Sequence, residues 1–171
     1  MPHVTHPFVR VLLIVVVAAP ASAASGLAPV RFAPAAGWHV REGAVHACPG
    51  VPASRCSQVA SVASTTRWRD CLDCLPHRTV AALAAGGIAV KITLAIERPL
   101  RVGRTFAWPP RIRKAEVHAG FEGLPGRIAV YQRSTRVGER EVFVFAFFGR
   151  GKPTTGQLDR ANAELRRARL G

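Results

Sequence analysis

The alternation of apolar and polar residues is strongest near the carboxyl end of the chain. Residues 127–134 alternate with a period of two, which predicts a β-strand with one face better buried than the other. Residues 141–148 are apolar on both faces, which predicts a central strand that is covered on both sides. The polar segment 135–140 lies between them and contains Gly138, a residue suited to a tight turn, so the two strands are predicted to form a hairpin.

A helical pattern follows this hairpin. Thr154 and Gln157 have the spacing of a capping box, in which two side chains satisfy free amides of the first helical turn. Apolar residues then recur at helical spacing, and most of the arginines of this segment fall off the stripe that they form. We therefore predict a terminal helix that lies across the sheet. Its apolar stripe consists of Leu158, Ala161, Leu165 and Ala168.

The earlier part of the chain has weaker strand patterns and one further helical pattern. Serine and threonine interrupt the pattern of the second strand, whereas the third alternates clearly. Because the helices are too few to alternate with the strands, we predict an α+β fold: a mostly antiparallel sheet of about five to six strands with two helices packed on it. The predicted strands cover 37–41, 58–66, 88–96 and 112–118, and the predicted helix covers 75–85.

The first residues have the pattern of a signal peptide. Arg10 precedes an apolar run, and small residues follow that run as a cleavage site. The run is shorter than the roughly 20 residues that a transmembrane helix needs. We therefore expect cleavage near Ala23 or Ala24, and a secreted or extracytoplasmic mature chain without a transmembrane segment. The predicted organisation is a signal peptide over 1–24, a linker over 25–36 and a single α+β domain over 37–171.

Four cysteines remain after this cleavage: Cys48, Cys56, Cys71 and Cys74. An even number of cysteines in an exported chain favours two disulfides. We favour Cys48–Cys56 with Cys71–Cys74, because proline and glycine make the segment between the first two a tight loop. The nested pairing, Cys48–Cys74 with Cys56–Cys71, stays open. Zinc is disfavoured because a C-x2-C beside a C-x7-C is poor ligand spacing.

The C-x2-C at Cys71 and Cys74 also suggests a thiol–disulfide oxidoreductase, since it follows a strand and precedes a helix. Two features oppose this reading. Pro76 predicts that the helix begins after the second cysteine, whereas an activated thiolate is best placed at a helix amino terminus. Asp70 and Asp73 are expected to oppose thiolate formation. A structural disulfide is the favoured interpretation.

The chain is strongly basic, with 24 lysines and arginines against 10 acidic residues and a net charge of +14. Such a charge attracts anionic partners, although arginine-rich composition alone also produces it. Gly149–Thr154 superficially matches a phosphate loop, but Ala146 and Pro153 stand where the motif needs glycine and a hydroxyl residue. The candidate anion-binding residues are Arg98, Arg101, Arg104, Arg111, Arg113, Lys114, Arg150 and Lys152.

Apart from the C-x2-C, the sequence contains no pattern that indicates a particular enzyme. The histidines have neither metal-ligand nor triad spacing, and Gly-x-Ser-x-Gly and Ser-x-x-Lys are both absent. We predict no cofactor, no metal and no specific nucleic-acid partner. The leading hypothesis is an exported, non-enzymatic binding or structural domain, whose basic surface meets an anionic cell-envelope component or a protein partner. The alternative is the oxidoreductase at Cys71 and Cys74.

Several segments carry a resemblance to known proteins. The stretch from Leu75-Pro76 to Val90, then Trp108-Pro109-Pro110-Arg111, then the terminal hairpin and helix resemble a group of exported actinobacterial proteins of unknown function. More remotely, Gly37-Trp38 and the closing strand and helix are similar to PsbP-like domains, which have an antiparallel sheet with helices against it. The resemblance implies this fold and an extracytoplasmic setting, and it implies no activity.

Overall fold

The computed structural model of the protein describes residues 27–97 and 107–171. The predicted signal peptide and Arg98, Arg101 and Arg104 lie outside these residues. The described chain forms nine strands, two α-helices and one 3-10 turn. In chain order they are β1 (Arg31–Phe32), β2 (His39–Glu42), β3 (His46–Ala47), β4 (Cys56–Ser64), α1 (His77–Ala81), β5 (Ile88–Glu97), the 3-10 turn (Lys114–Glu116), β6 (Val117–Ala119), β7 (Ala129–Val137), β8 (Arg140–Phe148), α2 (Thr155–Arg167) and β9 (Ala168–Arg169).

Seven of these strands form one antiparallel sheet. Its order is β2-β4-β5-β8-β7-β6, and β3 also pairs with β4. The α+β fold with a mostly antiparallel sheet and two helices is therefore confirmed. The strands are more numerous than the five to six expected, because short pieces such as β3 add to the edges.

The predicted hairpin lies at the centre and on one side of this sheet. It is formed by β7 and β8, which turn at Gly138 with a positive φ of 60°. The strand β8 lies between β5 and β7, as its apolar pattern predicted. Its two faces are covered unequally: Val142 and Val144 are fully buried, whereas Phe143 and Phe145 are partly exposed.

The helix α2 covers one face of the sheet. Thr154 and Gln157 form the predicted capping box, with the Gln157 N–H donating to Thr154 Oγ1. The predicted stripe is buried, and Leu165 is fully enclosed. Ala168 is also buried but belongs to β9, so the helix ends one residue before it. The first hydrophobic core joins this helix to side chains of β4, β5, β7 and β8, and to Ile112.

The opposite face of the sheet is covered by the connection between β4 and β5. Trp68, Leu72, Val80 and Leu83 from this connection form a second core with Phe147 and other side chains of the sheet. This connection contains α1, which is shorter than the predicted helix over 75–85. Pro76 precedes its first turn, and i→i+3 bonds such as the Leu83 N–H to the Val80 carbonyl tighten its end.

Two other segments differ from their sequence-based predictions. Part of the segment expected to be a linker, 25–36, is packed: Val30 is buried, and β1 pairs with β9. The strand predicted over 112–118 shrinks to β6, because the backbone of Ile112 hydrogen-bonds to α2 instead of to a strand.

Candidate functional site

A basic cleft lies between residues 111–114 and the first two turns of α2. Asn162 of α2 holds the segment in place: its Oδ1 accepts the Ile112 N–H at 2.7 Å, and its Nδ2 donates to the Ile112 carbonyl at 3.0 Å. Ile112 is thereby buried in the first core, with 2% of its surface exposed. Because side chains alternate along an extended segment, the residues on either side of Ile112 face outward.

Three cations line this cleft. Arg111, Arg113 and Lys114 are all exposed, and the cleft that they border has a volume of about 380 Å³. Asp159 is the one carboxylate residue that also lines it. No described carboxylate forms an ion pair with the three cations. Glu116 is close in sequence, but its side chain pairs with Arg133, and its contact with Arg113 is to the backbone N–H. The charge of the cleft is therefore positive and available to a ligand.

The other two described anion-binding candidates lie outside this cleft. Arg150 and Lys152 are exposed in the turn between β8 and α2, and neither lines the cleft. The turn itself is held against the body of the protein, because the Gly149 N–H donates to the Gly87 carbonyl and the Gly151 N–H donates to the Arg127 carbonyl. The structure thus separates the predicted basic residues into a cleft of three and an exposed turn of two.

The cysteines form the favoured pairs. The Cα atoms are 5.4 Å apart in Cys48–Cys56 and 5.3 Å apart in Cys71–Cys74, so the disulfides are confirmed and the nested pairing is excluded. The two bridges have different surroundings. Cys56 begins the central strand β4 and is 7% exposed, whereas Cys71 and Cys74 are both exposed.

A second cleft, of about 360 Å³, opens beside Cys71 and is called the cysteine cleft below. His46 lies at its edge, with Nε2 3.2 Å from Asp73 Oδ2. The Nδ1 atom of His46 is 3.1 Å from the Ala44 carbonyl, which fixes the ring and directs Nε2 toward the carboxylate. Asp73 thus has the imidazole of His46 as a close neighbour.

Lys91 lies beneath the loop that carries Cys71 and Cys74. It is 9% exposed, and its Nζ donates to the Cys74 carbonyl at 3.3 Å. Burial lowers the pKa of Lys91, and the nearby carboxylate of Asp73 partly offsets this effect. The side chain of Lys91 thus contacts the backbone of the second cysteine of the pair.

Asp70 is committed to a structural role. Its carboxylate accepts the N–H and the hydroxyl of Thr79, at 2.8 and 2.6 Å, and the N–H of Arg78 at 3.1 Å. Burial by itself raises the pKa of Asp70, but these hydrogen bonds outweigh it and hold the pKa below its usual value. The carboxylate of Asp70 is thus kept ionised and is hydrogen-bonded at the start of α1.

Sequence reasoning missed Asn162, Asp159 and His46 as members of these two clefts, and it missed Lys91 as the residue beneath the loop of Cys71 and Cys74. Each is brought there by contacts between distant parts of the chain, such as Asn162 with Ile112. A partial signal exists for Lys91. The connection 65–87 is rich in apolar side chains that need a surface to cover, and the strand face carrying Lys91 is that surface.

Within residues 27–97 and 107–171, no group of three or more histidine, cysteine or acidic residues has the geometry of a metal site. No helix in the same residues has the length and apolar character that a membrane crossing requires. Comparisons of the chain with protein-family models, with curated proteins and with solved structures found no match.

Proposed function

We propose that the protein is an exported binding domain that takes an anionic polymer of the cell envelope in its basic cleft. The observation that carries this proposal is the arrangement of Arg111, Arg113 and Lys114 around one cleft, without an ion-pair partner among the described carboxylates. Basic residues that merely solvate a surface are usually scattered or paired with acidic neighbours.

The chemistry of the cleft suits phosphate or carboxylate groups. A guanidinium group presents a planar fork of N–H donors that matches such groups with two parallel hydrogen bonds. The volume of about 380 Å³ is in the range of small-ligand sites, so the cleft accommodates one or two anionic units of a longer chain. The net charge of +14 adds long-range attraction that brings a polyanion to the surface.

Export is supported by the two disulfides, which are characteristic of oxidising compartments. The pattern of residues 1–24 supports the same setting. In such a setting a basic protein attracts anionic polymers.

Heparin serves as a defined linear polyanion for a direct test. Its dissociation constant is measured by titration across a series of salt concentrations with the wild-type protein and two triple variants. The cleft variant is Arg111→Ser/Arg113→Ser/Lys114→Ser. Its matched control, Arg55→Ser/Arg67→Ser/Arg69→Ser, removes the same charge from exposed arginines elsewhere. Arg67 and Arg69 belong to the connection that covers the opposite face of the sheet.

Each cation that contacts a linear polyanion contributes roughly 0.7–0.9 to the slope of log K against log salt. We therefore expect the cleft variant to lose at least tenfold in affinity and about two units of slope, while the control stays close to wild type. Equal losses in both variants would show that only net charge matters. Absence of binding at physiological salt would refute the proposal, since screening by salt is then sufficient to remove the attraction.

A further inference from the structure

The two disulfides differ in exposure and in the loop that each one closes. Cys48–Cys56 joins residues separated by 8 positions and has a buried member, whereas Cys71–Cys74 joins residues separated by 3 and is exposed at both ends. A shorter loop restricts the unfolded chain less, so its bridge contributes less to stability. Exposed disulfides are also the ones that thiols reach and reduce most readily. The structure thus contains one protected bridge and one accessible bridge.

The surroundings distinguish the two sulfurs of the accessible bridge. Cys71 lines the cysteine cleft, which is open to an incoming thiol. The backbone of Cys74 lies against Lys91, whose Nζ donates to the Cys74 carbonyl. A nearby ammonium group stabilises a thiolate, and a stabilised thiolate is a better leaving group in disulfide exchange.

Lys91 lies in a buried position, which is unfavourable for a charged side chain. It is in the middle of β5, paired with Val62 on one neighbouring strand and with the partly exposed Phe145 on the other. A buried ammonium group needs polar partners, and among the described residues those partners belong to the 73–74 segment: the Cys74 carbonyl and the carboxylate of Asp73.

We propose that Cys71–Cys74 is an exchange-active disulfide that oxidises a protein dithiol, with Lys91 acting through Cys74. A partner thiolate attacks the sulfur of Cys71 and forms a mixed disulfide, while the Cys71–Cys74 bond breaks and its electron pair leaves with Cys74 as a thiolate. The second partner thiolate then attacks the partner's sulfur in the mixed disulfide and releases Cys71. Two electrons and two protons pass from the dithiol to the cysteine pair.

The other charged groups around the pair are of both signs. Asp70 is occupied by the amides and hydroxyl at the start of α1. Asp73 faces both Lys91 and His46, which lies 3.2 Å away. Arg41 and Glu42 line the same cleft and carry opposite charges. Among these groups Lys91 is the buried cation.

The first experiment uses the full oxidised protein and its two bridges as internal controls for each other. The protein is equilibrated in a series of dithiothreitol redox buffers without denaturant, trapped with an alkylating reagent and mapped by peptide mass. We expect Cys71–Cys74 to become reduced at a dithiol-to-disulfide ratio at least tenfold lower than Cys48–Cys56. Reduction of both bridges together, or persistence of Cys71–Cys74 until the protein unfolds, would overturn the proposal.

A synthetic peptide with two cysteines serves as the dithiol substrate in a second measurement. The wild-type protein and a Cys48→Ser/Cys56→Ser variant are expected to oxidise it, whereas Cys71→Ser/Cys74→Ser is expected to be inactive. Melting curves establish which variants fold. If the Cys48→Ser/Cys56→Ser variant does not fold, comparison of wild type with Cys71→Ser/Cys74→Ser decides the question. Equal rates for these two proteins would contradict the proposal.

The role of Lys91 is tested with Lys91→Met, Lys91→Arg and the exposed control Lys152→Met. Lys91→Met is expected to shift the pH profile of Cys74 alkylation upward by about one unit and to make the pair about tenfold harder to reduce. Lys91→Arg keeps the charge and restores both properties, and Lys152→Met leaves both unchanged. A lysine that only anchors the loop would lower the melting temperature and leave the pH profile in place, which would refute its part in the exchange.

Discussion

The side chain of Asn162 holds the backbone of Ile112 through its donor and its acceptor at once, across 50 positions of the chain. Both bonds are buried, so Asn162→Ala leaves a buried N–H and a buried carbonyl without partners. We expect a loss of about 2 kcal/mol or more in the free energy of unfolding, measured by denaturant titration. The exposed neighbour Arg160, changed to alanine, should stay within about 0.5 kcal/mol of wild type.

The same variant links stability to binding. Once the 111–114 segment is released from α2, the three cations no longer share one cleft, so heparin affinity should fall even where the protein remains folded. A stable Asn162→Ala protein with unchanged heparin affinity would mean that the cleft does not depend on the two hydrogen bonds between Asn162 and Ile112.

Leu165 is the largest apolar residue of α2 that has no exposed surface, and it lies in the first core. Truncation to alanine should cost about 2–5 kcal/mol, because it removes buried methyl groups and leaves a cavity beneath the helix. Thermal and urea unfolding measure this loss. Arg166→Ala changes the adjacent, exposed residue and provides the control. A melting curve for Leu165→Ala that overlays the wild-type curve would show that α2 is not packed on the sheet.

Asp159 is the carboxylate that opposes anion binding in the basic cleft. Neutralising it in Asp159→Asn should strengthen heparin binding by roughly 0.2–1 kcal/mol, the usual strength of an exposed charge interaction. Glu139→Gln removes an equal charge from the exposed β7–β8 turn and should have a smaller effect. The two titrations are compared at one salt concentration. A greater gain from Glu139→Gln would place the binding surface elsewhere.

Glu164 makes stability depend on pH. Its side chain is fully buried, and its Oε2 lies 3.4 Å from both the Ala35 N–H and the Arg167 guanidinium group. Burial raises the pKa of Glu164 above its usual value of 4.5, despite these partners. The folded protein therefore binds the proton more tightly than the unfolded chain does, and the contribution of Glu164 to stability is lost as the pH rises through the folded-state pKa.

Glu164→Gln keeps a side-chain acceptor for Ala35 and removes the ionisation. The variant should be more stable than wild type near neutral pH, and this advantage should shrink toward pH 4, where the wild-type side chain is protonated, as measured by melting at about pH 4 and about pH 7.5. An advantage that is independent of pH would show that the carboxyl group does not titrate across this interval.

The parts of the fold that sequence predicted are those set by neighbouring residues. The β7–β8 hairpin follows from two periodic runs around Gly138, and the start of α2 follows from Thr154 and Gln157. Burial of β4 was not evident, because three serines interrupt its apolar pattern. In the structure Ser61 and Ser64 are fully buried nonetheless, since β4 lies between β5 and the edge strands with both faces covered.

Only some residues of each candidate site could be predicted from the sequence, for a physical reason. The cations and the C-x2-C are local features of the sequence. The side chains that surround them in the folded protein come from distant parts of the chain, so the sequence pattern does not reveal them. Lys91 illustrates this: its alternation with the isoleucines of β5 predicted a polar face, but not the layer of Trp68 and Leu72 that closes over that face.

The pairing of β1 with β9 joins residues near both ends of the described chain, with Arg31 opposite Arg169 and Phe32 opposite Ala168. Neither strand has another partner in its sheet. Proteolysis that removes either strand would therefore leave the other strand without its partner. Phe32 and Ala168 would then no longer be held in the first core. A purification tag or a cleavage site placed before residue 27 leaves the β1–β9 pair intact.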